Sequence, residues 1–165
     1  PTFGIPLSLS NAAFASTAYW NDTAPTASVF TVGTSILTNG SGQTYVAYLF
    51  AEVAGFSKFG SYTGNGSADG PFVYCGFRPR FVLVKGSSNA SSWQMFDTSR
   101  PGYNANDNTL WADLSSAEGT GTARIDLLSN GFKVRAPAGT DPNVSSATYI
   151  FMALAENPFK NSLAR

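Results

Sequence analysis

The apolar runs of this chain are short, and that constrains its fold more than any other feature. Ser28–Gly33 (SVFTVG), Thr44–Glu52 (TYVAYLFAE), Phe72–Cys75, Phe81–Lys85 (FVLVK), Trp93–Asp97 (WQMFD), Ala123–Leu128 (ARIDLL), Phe132–Arg135 (FKVR) and Thr148–Glu156 (TYIFMALAE) are each rich in β-branched and aromatic residues. Clusters of Asn, Gly, Ser and Pro separate them, the punctuation of strands rather than helices. No stretch of a dozen residues repeats apolar positions at i, i+3, i+4 and i+7, and Gly or Pro interrupts most windows. The pattern predicts an all-β fold, an antiparallel β-sandwich or jelly roll. Phe59–Thr63 is a weaker strand candidate. Asn130-Gly131, between ARIDLL and FKVR, predicts a hairpin with both residues central in a type I′ turn.

Composition narrows the function classes. Lys plus Arg is 10 and Asp plus Glu is 10, so the formal net charge is zero and only 12% of residues are charged. Ser, Thr, Asn and Gly fill 63 of the 165 positions (20, 15, 12 and 16). A neutral chain has no basic face for nucleic acid. An apolar share of 43%, with 14% aromatic residues, is enough to bury a core and argues against disorder. The longest apolar runs, Tyr45–Ala51 and Tyr149–Ala155, are seven residues each and too short to insert in a membrane as helices. Without histidine, Ser-His-Asp and Cys-His catalysis and His-bearing zinc sites are excluded. The single cysteine, Cys75, sits in an apolar run and reads as a buried, inert thiol. Pro1 comes first and no basic n-region precedes an apolar run, which reads as a processed product or part of a longer chain without a signal peptide.

An internal repeat runs through the chain. Thr44-Tyr45-Val46 … Phe50-Ala51-Glu52 returns as Thr148-Tyr149-Ile150 … Leu154-Ala155-Glu156. Upstream, Asn39-x-Ser41-x-x-Thr44 matches Asn143-x-Ser145-x-x-Thr148, Phe30-x-Val32 matches Phe132-x-Val134, and Leu9-Ser10-x-Ala12 matches Leu114-Ser115-x-Ala117. The front half of the second copy, Gly76–Arg100, has no counterpart in the first. Residues 1–56 therefore read as a partial first repeat, the C-terminal half of a module. Residues 57–165 read as a complete second repeat, the two packed as one unit. The plain alternative is a single sandwich whose long strands look alike because they do the same job. On the duplication reading, a half-module upstream of Pro1 or a neighbouring chain covers Phe30, Tyr45 and Phe50. Thr44–Glu52 and Thr148–Glu156 are both expected in the core, with Tyr149, Phe151, Ala153 and Ala155 on one face, Ile150, Met152 and Leu154 on the other, and both faces covered.

Asn39–Phe50 (NGSGQTYVAYLF), Glu52-Val53 with Phe56–Gly66 (FSKFGSYTGNG), Gly76–Lys85 and the ending Ala155–Lys160 (AENPFK) carry a resemblance. From about Trp20 onward the chain resembles a repeat domain, itself of unknown function, found in tailed-bacteriophage virion and tail fibre proteins of aquatic and marine phages. That resemblance implies a particle component located in the virion and assembled in the host cytoplasm. It brings no catalytic residues and no cofactor. Few charged residues guard the strand edges, so a homo-oligomer, with a trimer favoured, is expected alongside contacts with other virion proteins.

Other chemistry is sparse. The sequons at Asn21, Asn39, Asn65, Asn89 and Asn143 are explained by turn chemistry. Gly64–Gly70 lacks the Lys-Ser/Thr and the helix that a phosphate cradle needs. Asp97, Asp107 and Asp113 are the carboxylates near Trp93, Tyr103 and Trp111, so a paired-acid glycosidase is conceivable; the plainer role of Asp97 is turn capping or pairing with Arg100. Asn104–Asn108 offers oxygen ligands with a single charge, too few for a strong metal site. Arg78-Pro79-Arg80 reads as an interstrand ion pair rather than a docking site. The candidate glycan or partner contact is the loop Arg100–Trp111, through Tyr103, Asn104, Asn106, Asp107, Asn108 and Trp111: aromatic faces stack on sugars and amides read hydroxyls. In the plainer alternative Trp111 plugs the core and the amides form only a turn. The expected function is a non-enzymatic virion module, a tail fibre or appendage piece that self-associates and contacts host surface polysaccharide. A capsid decoration or head-fibre protein is the alternative, and a carbohydrate-active enzyme the third reading.

Overall fold

The computed structural model describes residues 3–100 and 104–158. The chain divides into two units, one of residues up to 6 with 13–50, the other of residues 7–12 with everything from 51 onward.

The first unit pairs β1 (Phe3–Gly4) with β2 (Phe14–Ala15) and carries two single-turn helices, α1 (Thr17–Trp20) and α2 (Ile36–Asn39). Serine caps both: Ala18 N–H donates to Ser16 Oγ and Leu37 N–H to Ser35 Oγ. Asn21 ends α1 in the left-handed region, with φ 51°. Gly33 lies so close to α1 that a Cβ there would stand 2.2 Å from the Ala18 carbonyl oxygen. It is also the one buried position among described residues 3–50.

Two expected strands are missing from this unit. Around Ser28–Gly33 the backbone is drawn into local bonds. Thr26 Oγ1 accepts from Ser28 and Val29 N–H, and Gly33 N–H donates to Tyr19 O. Such side-chain turns compete with a ladder. Thr44–Glu52 forms no strand either, although its residues are well suited to one: no described strand lies beside it. A strand needs a neighbour to take its N–H and C=O groups.

The second unit holds two antiparallel sheets. β3 (Ser57–Thr63), β5 (Pro79–Gly86), β6 (Gln94–Asp97), β7 (Leu110–Trp111) and β10 (Thr148–Ala155) lie in the order β3-β10-β5-β6-β7. β4 (Phe72–Tyr74), β8 (Ile125–Leu128) and β9 (Gly131–Val134) lie in the order β4-β9-β8. Their inner faces share one core, with Val82, Val84, Phe96, Tyr149, Phe151 and Ala153 from the larger sheet and Val73, Ile125, Leu127, Phe132 and Val134 from the smaller. Phe132 meets Phe151 edge to face at 5.3 Å, and Tyr62 stacks on Tyr149 at 5.3 Å. The fold class is all-β, as expected.

Other details correct the sequence reading. β10 alternates: Tyr149, Phe151 and Ala153 are buried, while Ile150, Met152 and Leu154 are only half-buried. The second sheet covers one face, so the expectation of two covered faces fails there. β8 and β9 do form a hairpin, but Leu128 pairs with Gly131, so Ser129-Asn130 is the turn, and neither has a positive φ. Gly131 is instead a site of close approach, because a Cβ would stand 2.1 Å from the Val73 carbonyl oxygen of β4. Cys75 is 6% exposed, and burial pushes its thiol up to about 11.

Candidate functional site

The loop nominated for recognition spends most of its polar groups on its own fold. Asn104 Nδ2 donates to Leu127 O at 2.9 Å and its Oδ1 accepts from Leu127 N–H at 3.0 Å, so the amide pairs with β8 as another strand would. Asn106 is 1% exposed; its Nδ2 donates to Asp97 O at 3.0 Å and its Oδ1 accepts from Asn108 N–H at 3.2 Å. Asp107 Oδ2 accepts from Gly121 N–H at 3.0 Å. Trp111 lies in β7, opposite Gln94, with its ring against Gly119, where a Cβ would meet it at 2.5 Å. Tyr103 lies outside the described residues. Asp107, Asn108 and Trp111 stay half-exposed. Among the five described candidates Asn106 is buried, Asn104 is exposed but holds β8 through its amide, and both staple the loop to the rest of the fold.

Arg100 ties the base of this loop. Its Nε donates to Asp97 Oδ2 at 2.6 Å, its Nη2 to Met95 O at 3.1 Å, and its Nη1 pairs with Glu118. Asp97 Oδ1 also accepts from Ser99 and Arg100 N–H. Burial pushes the Asp97 carboxyl up, but Arg100 and these N–H groups outweigh it and hold it below the usual range. Asp97 is thus the turn cap and Arg100 partner. Asp113 Oδ1 accepts from Trp93 N–H at 2.9 Å. Arg78 pairs with Glu156 at 2.9 Å, the ion pair expected beside β5.

Sequence reasoning missed a buried polar layer. Lys85, read as the last residue of a strand, is 0% exposed; its Nζ donates to Gly86 O at 2.7 Å and Ser10 O at 3.3 Å. Burial depresses its ammonium, against the pull of Asp113 and Asp141. Tyr149 donates to Asp141 Oδ1 at 2.6 Å and accepts from Val144 N–H at 3.0 Å. Burial, and then the Asp141 carboxylate, push its phenol far up. Asn143, one of the sequons, is fully buried: Nδ2 donates to Ser67 O at 2.6 Å and Asn65 Oδ1 at 3.2 Å, and Oδ1 accepts from Asn65 N–H at 3.0 Å. One sequence signal was the pattern it shares with Asn39, Asn-x-Ser-x-x-Thr; the Nδ2 of Asn39 likewise bonds a carbonyl, that of Gly33.

The first unit carries an exposed apolar groove. A groove of about 640 Å³ is lined by Trp20, Phe30, Val32, Leu37, Tyr45 and Tyr48, among others. Phe30, Val32 and Tyr45 are 38%, 38% and 42% exposed, while the residues of like sequence pattern, Phe132, Val134 and Tyr149, are all 0%. Tyr48 reaches 81%.

Taken with the fold, these features define an all-β domain with a stapled loop and an uncovered apolar face. Among the described residues no helix is long and apolar enough to cross a membrane, and no group of three His, Cys, Asp or Glu could hold a metal ion. The chain belongs to the family described as a domain of unknown function, DUF7483, which matches residues 2–158. No curated protein and no solved structure matches it.

Proposed function

We propose that this chain is a non-enzymatic structural module of a bacteriophage virion, a tail fibre or appendage piece that self-associates and contacts host surface glycan. The observation that carries the reading is the first unit, which exposes Phe30, Tyr45, Tyr48 and Phe50 and buries only Gly33 among its described positions. A unit without an interior of its own is stable only when something covers it. The resemblance to phage fibre repeats and the polar, low-charge composition supply the setting. Asp97, the carboxylate favoured for a glycosidase, is spent on Arg100, which supports a non-enzymatic role. The glycan part of the proposal rests on Trp111, Asp107 and Asn108.

Antibody labelling of intact particles tests the assignment. Label on tail fibres or appendages supports it, label on the head favours a capsid decoration or head fibre, and unlabelled particles overturn it. Sedimentation at micromolar concentration tests self-association: a trimer or larger species is expected, and a clean monomer counts against it. Hydrolysis of a capsular polysaccharide, abolished by Asp97→Asn, would replace this reading with an enzymatic one.

A further inference from the structure

We infer that copies of this chain join by strand addition, residues 44–47 of one copy pairing antiparallel with the free outer edge of β3, residues 60–63, in the next. The inference rests on the self-association reading and names its contact. The repeat supplies the template. Thr44–Phe50 matches Thr148–Leu154, the body of β10, and β10 pairs with β3 over its length, Thr148 opposite Thr63 through Leu154 opposite Ser57. The molecule thus already contains this strand chemistry, satisfied by β3. In the first unit the matching segment has no strand beside it, and Val46, Tyr48 and Leu49 are 77%, 81% and 74% exposed.

The recipient edge is on the page as well. β3 stands at the margin of its sheet with β10 on its inner side only. At its start the outer side is occupied in cis, where Val53 bridges Ser57. Side chains stop that ladder one step later. Ser57 Oγ takes Ala51 O, and the Glu52 carboxylate takes both Lys58 Nζ and Phe59 N–H. The groups a continuing cis strand would use at Ala51 and Phe59 are therefore engaged, and the edge from Gly60 to Thr63 has no described strand beside it. Main-chain groups alternate sides along a strand, so Ser61 and Thr63 share the outward side with Ser57. That stretch, GSYT, holds no charge, proline or bulge to deter pairing. In the β10 register Val46 meets Ser61 and Tyr45 meets Tyr62. Each copy carries both the donor segment and the recipient edge, so the contact is head to tail and closes into a ring or runs into a filament.

The test uses the full 165-residue chain, whose own Cys75 is buried. Val46→Cys and Ser61→Cys are made separately, mixed and mildly oxidised. A hydrogen-bonded antiparallel pair has Cα atoms ~5.5 Å apart, within disulfide reach. A covalent dimer in the mixture, absent when Val46→Cys is mixed with the exposed control Ser145→Cys, is the expected result. Ser61→Lys should leave the melting temperature unchanged at low concentration and weaken self-association by about tenfold or more, by setting a charge on the edge. An oligomer without the Val46–Ser61 cross-link overturns strand addition and leaves self-association standing; a monomer overturns both. An intrachain disulfide in the double variant, with no cross-link between copies, also overturns it and assigns the edge to the chain's own segment.

Discussion

Asn143→Ala is the sharpest test of the buried polar layer. Three bonds of 2.6–3.2 Å run from this fully buried amide to Asn65 and Ser67, fastening the loop after β3 to the loop before β10. Asn65 and Ser67 are exposed, so water can recover groups there, while a longer fourth contact, 3.4 Å to the buried Ala136 carbonyl, adds to the loss. At about 1 kcal/mol net per bond the expected loss is ~3 kcal/mol, a large share of a typical 5–15 kcal/mol. Urea unfolding should give a lower midpoint with an unchanged slope. Ser145→Ala, which removes the same sequon and none of these bonds, should stay within about 0.5 kcal/mol of the parent. Asn143→Asp adds a pH signature. A carboxylate facing the Ser67 carbonyl has no proton to donate, so burial raises its folded pKa above the unfolded value. The variant is then least damaged below about pH 4, where the acid is protonated, and loses stability as pH rises. A loss under about 1 kcal/mol for Asn143→Ala would refute the staple, and so would a glycan attached at this position.

An ordinary Gly→Ala change in a strand gains about 0.5–1 kcal/mol, but Gly131→Ala should instead destabilise, because the new Cβ would sit 2.1 Å from the Val73 carbonyl oxygen; calorimetry reads this as a lower melting temperature. The Asp97 carboxyl is held below its ordinary value, so its pairing with Arg100 stabilises fully above the unfolded carboxylate range and is lost as pH falls through the folded value; Arg100→Ala should flatten stability below about pH 4, measured by urea titration. The Cys75 thiol, pushed up to about 11, contributes stability below its unfolded value that disappears as pH rises through about 9 to 11, so Cys75→Ala should unfold less steeply across that window than the parent.

The strands of the second unit were legible because residue type, turn punctuation and burial agree there. Phe81–Lys85, Trp93–Asp97 and Phe132–Arg135 each appear as strands within a residue or two of their expected bounds. Phe59–Thr63 looked weaker because Gly60 and Ser61 dilute it; in the fold Gly60 makes room for the Phe151 ring, with a Cβ there 3.0 Å from it. The loop was harder to read. Asn104 and Asn106 have the composition of a sugar-binding surface, and nothing in their spacing tells whether an amide faces a hydroxyl or the chain's own Leu127. Lys85 was hidden for the same reason, since its burial depends on Ser10, 75 residues away.

Two segments of similar sequence make the deeper case. TYVAYLFAE and TYIFMALAE have nearly the same β propensity, yet the second is an inner strand of a five-stranded sheet and the first is no strand at all. What differs is the company. β10 lies between β3 and β5, whereas Thr44–Glu52 has no described strand beside it. Strand propensity measures how well a residue fits a pleated, half-buried surface, so it has nothing to act on until a second strand is present. Tyr45 is 42% exposed where Tyr149 is 0%, packed in the core under Tyr62. A neighbour from another copy would bring both to the same state, which is why the cross-link between Val46 and Ser61 bears on the fold as much as on assembly.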